Sequence, residues 1–144
     1  MDMLKESVKD LYSKKFLGLG ITLAFLSACN TMTNKTIQVS GLVFYNASDA
    51  TVQNVKLMSL ETGRMVSCNL VEPKSYCGTG FPTADYQGAE LKLSWQDMSG
   101  YDYYQTLTFP LPEQFEENKR YAAVFKFNSV TDFEAFFRLN PRPF

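Results

Sequence analysis

The sequence predicts an all-β domain, a sandwich of seven to eight short strands, on three observations. Aromatic residues are abundant, with 12 Phe, 8 Tyr and 1 Trp among 144 residues, and rings suit a pleated, half-buried surface. Apolar and polar residues alternate at a period of two in several stretches. Turn-forming clusters recur about every 8–15 residues, and no long stretch carries apolar residues at helical spacing.

The first strand runs from Ile37, where Ile37, Val39, Gly41, Val43 and Tyr45 alternate with Gln38, Ser40, Leu42 and Phe44 and both faces turn apolar toward the end. Asn46-Ala47-Ser48-Asp49 is a turn cluster. Val52 to Leu60 is a second strand carrying Val55 and Leu57. Glu61-Thr62-Gly63 turns into a third at Met65-Val66-Ser67-Cys68. Glu72-Pro73-Lys74 breaks the chain, Ser75 to Phe81 is a short strand, and Pro82 to Gly88 is loop. Glu90 to Gln96 alternates clearly, with Leu91, Leu93 and Trp95 on one face and Lys92 and Ser94 on the other. After the turn Asp97-Met98-Ser99-Gly100, a long strand spans Tyr101 to Phe109 and stops at Pro110-Leu111-Pro112. Lys119 to Phe127 places Tyr121, Ala123, Phe125 and Phe127 on one face. Thr131 to Leu139 fits a last strand or a short helix.

Composition restricts the chemistry more than it suggests any. The chain has no histidine, so Ser-His-Asp and Cys-His catalysis and histidine-containing zinc sites are excluded. The formal charge is −1, from 14 basic and 15 acidic residues. Without a basic stripe, nucleic acid is not an expected partner. Asp85, Glu90, Asp97 and Asp102 are the acids nearest the aromatic stretch. Paired carboxylates hydrolyse glycosides when their spacing is fixed, but nothing in the sequence fixes the spacing here. No alternating-acid calcium loop, phosphate-cradling glycine loop or nucleophile elbow is present. The expectation is a protein that is not an enzyme and has no metal.

Ahead of the domain lies a segment of different character. Lys14-Lys15 precede an apolar run from Phe16 to Leu26, broken only by Thr22, and small residues then lead to Cys29. The run is about half of the ~20 residues a membrane-spanning helix needs, so the layout is that of a cleaved export signal. Leu26-Ser27-Ala28-Cys29 resembles the bacterial lipobox: leucine, then alanine or serine, then glycine or alanine, then cysteine. The resemblance implies that residues 1–28 are removed and that Cys29 becomes the first residue of a lipoprotein. Diacylglycerol would sit on its thiol and an acyl chain, typically palmitate, on its amine. It implies no other cofactor. Two or more chains anchor a protein stably. Asn30 in place of aspartate implies the periplasmic face of the outer membrane rather than the inner membrane. Residues 29–36 form a polar tether, and 37–144 form the β-domain. Cleavage of 28 of the 144 residues leaves 116, with ten basic and twelve acidic side chains. Asp2, Glu6 and Asp10 precede the lysines in an unusually long preamble, so translation is expected to start near Leu11–Lys14.

The run Val43-Phe44-Tyr45-Asn46-Ala47-Ser48, followed by Val52-Gln53-Asn54-Val55-Lys56-Leu57, resembles small immunoglobulin-like domains of bacterial envelope proteins. It implies an immunoglobulin-like or transthyretin-like β-sandwich. An exported protein meets an oxidising compartment, so Cys68 and Cys77 are expected to form a disulfide. Cys29 is reserved for lipid, which accounts for the odd cysteine. The pair brackets Asn69 to Tyr76 and reads as a staple across a hairpin bent at Pro73-Lys74. A redox pair is the alternative, though the spacing is not Cys-x-x-Cys.

Tyr101, Tyr103 and Tyr104 are the candidate binding surface, with Tyr101 and Tyr103 on one face of a strand and Tyr104 on the other. The competing expectation is that these rings simply cover a sheet. Phe133, Phe136 and Phe137 suit core packing, or a partner site if exposed. Asn140-Pro141-Arg142-Pro143-Phe144 reads as a frayed terminus, with recognition by a partner as the alternative. The expected role is a non-enzymatic accessory or scaffold subunit of the cell envelope, held on the membrane by its lipid and bound to a protein partner. In size and layout it resembles secretion-system accessory lipoproteins and pilotins. The alternative is a glycan- or small-ligand-binding module.

Overall fold

The computed structural model of the protein describes residues 35–114 and 116–139. The export segment, Cys29, the tether as far as residue 34 and the tail Asn140–Phe144 lie outside the described residues. Among the described residues there is no helix, and two sheets face each other.

The first sheet holds β1 (Ile37–Asn46), β4 (Ser75–Thr79), β8 (Arg120–Phe127) and β9 (Phe133–Leu139) in the order β4-β1-β8-β9, with β5 (Asp85–Tyr86) also paired to β1. The second holds β2 (Val52–Ser59), β3 (Met65–Val71), β6 (Leu91–Gln96) and β7 (Asp102–Leu107) in the order β3-β2-β6-β7. Neighbouring strands are antiparallel except for β1 and β8, which run parallel. Among the described residues there are therefore nine strands rather than seven or eight. The added strand, β5, lies inside Pro82–Gly88, expected to be loop; two residues are too few to show a periodicity. Thr131 to Leu139 resolves as the strand β9, because Phe133, Ala135 and Phe137 reach the core on alternate positions. The expected strand Tyr101–Phe109 stops at Leu107, and Phe109 turns into the interior.

The strand β1 departs from simple alternation. Ile37 is buried and Val39 packs on the core, but the register to β8 shifts between Val39 and Gly41. Beyond that point Leu42, Phe44 and Asn46 face inward, and Val43 and Tyr45 face outward. An extra residue in one strand reverses the facing of everything after it. The single face expected for Ile37 through Tyr45 is thus divided between the two sides of the sheet.

The core is aromatic. Trp95 stacks on Tyr103 with centroids 5.5 Å apart and meets Phe127 and Phe133 edge-on from the opposite sheet. Its indole N–H donates to the Val130 carbonyl at 2.7 Å. Phe109 lies 4.9 Å from Phe125 and 4.8 Å from Phe137. Burying one such side chain stabilises the fold by roughly 1.5–3 kcal/mol.

Two polar devices tie this core to its margins. Asn46 is fully buried, and its amide donates to the carbonyls of Ala50 and, across the sandwich, Val71. Its Oδ1 accepts from the backbone N–H and hydroxyl of Ser48. This is the turn expected at Asn46–Asp49, built as an Asx turn. Tyr86 is also buried. Its hydroxyl donates to the Ala89 carbonyl at 2.8 Å and accepts the Phe109 N–H at 2.9 Å. Burial raises its pKa above the ordinary tyrosine value of 10.0.

Cys68 and Cys77 form a disulfide, with Cα atoms 6.3 Å apart. It is not a hairpin staple. Its two strands belong to different sheets, β3 paired to β2 and β4 paired to β1. The turn at Glu72-Pro73-Lys74 is a crossover, and the bridge joins the two sandwich halves at their edges.

Candidate functional site

The structure separates the three candidate tyrosines as strand alternation requires. Tyr103 is half-buried against Trp95, and Tyr101 meets it edge-on at 4.9 Å. Tyr104 is 74% exposed on the opposite face, where the Lys92 ammonium lies 5.2 Å from its ring centre. Only Tyr101 and Tyr103 share a surface, and Asp97 organises it. The Asp97 carboxylate accepts from the N–H and hydroxyl of Ser99, the N–H of Tyr101 and the Tyr103 hydroxyl. These bonds, led by the Ser99 hydroxyl, hold its pKa below the ordinary value of 3.8. Desolvation, then the neighbouring Asp97 charge, raises the Tyr103 pKa. The aspartate is committed to closing its turn. Asp102 accepts from Gln96 at 2.7 Å, and Asp85 lies in the other sheet. No three metal-ligating side chains gather among the described residues.

A different surface stands out when the outer faces of the two sheets are compared. The β3-β2-β6-β7 sheet presents Ser67, Lys56, Ser94 and Tyr104 side by side, and in the next row Met65, Met58, Lys92 and Thr106. Apart from the two methionines, of which Met65 is exposed, this is the polar face expected of a sheet turned to water.

The outer face of the β4-β1-β8-β9 sheet is built differently. Its registers set three rows across the strands. One is Tyr76, Tyr45, Lys126 and Glu134; the next is Gly78, Val43, Val124 and Phe136; the third includes Gly41, Ala122 and Arg138. Val43 and Val124 form a floor and are only 7% and 6% exposed, although they point away from the core. Tyr76, Tyr45 and Phe136 stand around them, and Lys126 and Arg138 lie at the margin. Glycine at position 78, where a Cβ would meet nothing within 4 Å, leaves open space beside Val43. The result is a trough of about 420 Å³, within the usual range of binding clefts. Tyr76 is 66% exposed at its rim. Lys126 pairs with Glu134 at 3.7 Å.

Of the three C-terminal phenylalanines, Phe133 and Phe137 pack on the core and Phe136 joins the trough. Sequence reasoning did not find this site. Its residues come from four strands and follow no motif. Only the apolar character of both faces late in β1 hinted that Val43 and Tyr45 had something to do.

No protein-family model matches the chain, and no curated protein sequence matches it at a significant level. Among solved structures, the NMR structure of a protein from Eubacterium rectale is similar over 80% of this chain and 98% of its own, at 11% sequence identity and a TM-score of 0.40.

Proposed function

We propose that the protein is a lipid-anchored, non-enzymatic interaction subunit of the bacterial envelope, and that it presents the outer face of the β4-β1-β8-β9 sheet to a protein partner. One observation carries the choice of surface. The outer face of the four-stranded sheet sets Lys56, Ser67, Ser94, Lys92 and Thr106 beside two methionines, Met58 and Met65, whereas the outer face of the other sheet surrounds two valines with three aromatic rings. Exposed apolar surface rimmed by polar groups is where interaction sites are built. The trough is neither enclosed nor flat, and its lining is drawn from four neighbouring strands. It therefore suits an extended segment better than a small molecule, which binding sites usually enclose over most of its surface.

The anchoring half of the proposal rests on Leu26-Ser27-Ala28-Cys29 and the apolar run before it. Asn30 after the cysteine, in place of aspartate, supports placement at the periplasmic face of the outer membrane. The strand order β4-β1-β8-β9 over β3-β2-β6-β7, with β1 parallel to β8, supports a transthyretin-like form of sandwich. Fold of this kind does not assign a function.

Membrane fractionation tests the anchor: Cys29→Ser should move the protein from the membrane to the soluble fraction. Co-purification from solubilised membranes tests the surface. A stoichiometric partner recovered with the native chain should be lost with Gly78→Leu, which fills the trough, and kept with Tyr104→Ala on the other face. Equal recovery with all three chains would overturn the choice of surface.

A further inference from the structure

The registers place the two cations of the trough at its opposite ends. Lys126 stands in the row of Tyr45, Val124 and Phe136 stand in the next row, and Arg138 stands in the row of Ala122. Each row is two residues from its neighbour, so the cations are set about 13 Å apart along the strands. Between them lie the valine floor and Phe136.

An extended chain repeats its facing every two residues at the same rise. We infer that this surface, taken as the interaction face proposed above, recognises an extended peptide segment of one pattern. The segment carries acidic side chains at its first and fifth positions and a large apolar or aromatic side chain at its third. The third side chain enters the trough over Val43 and Val124, where the absence of a side chain at Gly78 makes room. The two carboxylates reach Lys126 and Arg138. Both cations already have company: Lys126 meets Glu134 at 3.7 Å, and Arg138 is engaged within the molecule. The incoming carboxylates join those contacts, so charge sets register and choice of partner while the central side chain supplies most of the affinity.

Gly78 makes the site testable without breaking the fold. A Cβ at this position would meet nothing within 4 Å, and its backbone is not in the left-handed region. A larger side chain there projects into the trough from an otherwise ordinary strand position.

The experiment uses the full chain and three fluorescein-labelled peptides, read by anisotropy at low salt. The first has glutamate at positions one and five and phenylalanine at three. The second replaces both glutamates with glutamine. The third keeps the glutamates and replaces phenylalanine with alanine. The second peptide should bind about fivefold more weakly than the first, as expected for two rim ion pairs. The third should bind more than about tenfold more weakly. Gly78→Leu should abolish binding of the first peptide without lowering the unfolding temperature. Lys126→Gln combined with Arg138→Gln should remove the preference for glutamate over glutamine and leave the preference for phenylalanine. Equal affinity for the first two peptides would overturn the charge pattern, as would unchanged discrimination in the double variant. Should Gly78→Leu nevertheless abolish co-purification of the native partner, the interaction face would stand and only the inferred pattern would fall. If free 4-phenylbutyrate displaced the first peptide at equal concentration, the trough would be a small-molecule site and the inference would fail.

Discussion

Removing the disulfide should cost this domain a predictable amount of stability and loosen one strand in particular. The perturbation is the double substitution Cys68→Ala and Cys77→Ala. The bridge closes ten residues, counted from Cys68 through Cys77. For a loop of that length the chain-entropy relation gives about 9 cal/mol/K, or about 2.7 kcal/mol at 25 °C. Cys68 is buried, so the lost sulfur contacts add a packing cost to this figure. In a domain of about 105 residues a loss of that size lowers the unfolding temperature by on the order of 10 °C. The position of the bridge says where the loosening appears. The strand β4 is an edge strand, hydrogen-bonded only to β1, over Ser75–Thr79. Without the link to β3 it should open locally, so amide exchange should accelerate in β4 before it does in the central strand β8. Urea unfolding monitored by circular dichroism gives the global loss, and hydrogen exchange gives its location. A loss below about 0.5 kcal/mol, or acceleration spread evenly over both sheets, would refute the idea that the bridge holds the two edges together.

Asn46→Ala should destabilise by about 2–3 kcal/mol in urea titration, because it leaves buried turn and Val71 groups without their partner; a loss under about 1 kcal/mol would show that water replaces the amide. Gly78→Leu should leave stability unchanged or raise it by up to about 1 kcal/mol, since glycine weakens a strand and nothing obstructs the new side chain; a clear loss would disqualify it as a probe of the trough. Two pH limits follow from linkage. Tyr86 has its folded pKa raised by burial, so its contribution is whole below the unfolded value near 10.0 and is lost as pH climbs from there through the folded value; Tyr86→Phe should flatten that part of the alkaline limb. Asp97 has its folded pKa lowered, chiefly by the Ser99 hydroxyl, so its contribution is present above the unfolded value near 3.8 and is lost as pH falls through the folded value. Asp97→Asn should flatten the acid limb in that window, and an unchanged profile would contradict the role given to its hydrogen bonds.

Much of the fold was legible because local pattern and tertiary burial agree. Leu91, Leu93 and Trp95 alternate with Lys92, Ser94 and Gln96, and the first three are buried while the others stand half-exposed. The cysteine pairing was legible from compartment and count, but its geometry was not. Glu72-Pro73-Lys74 has the composition of a hairpin turn, and only the pairing of β4 with β1, about thirty residues back in the chain, makes it a crossover. Strand β5 left no signal because Tyr86 is held by one side-chain hydroxyl and a two-residue pairing. The trough was invisible for a deeper reason. The register shift in β1 decides that Val43 faces outward, and three further strands supply Tyr76, Val124, Lys126, Phe136 and Arg138. Residues so far apart become neighbours only once the registers are known. The tyrosine cluster, conspicuous in sequence, divides between packing on Trp95 and a solvent-facing ring at Tyr104.

In the function proposed here, one outer face of this sandwich, and not the other, meets a partner at the membrane. Site-specific photo-crosslinking in intact cells tests it most directly. A photoreactive amino acid is placed at Tyr76, on the rim of the trough, or at Tyr104, on the outer face of the opposite sheet; both sites are well exposed. Position 76 should give one discrete protein adduct that disappears when Gly78→Leu is added, and position 104 should give none. Crosslinking from position 104 with none from position 76 would contradict it.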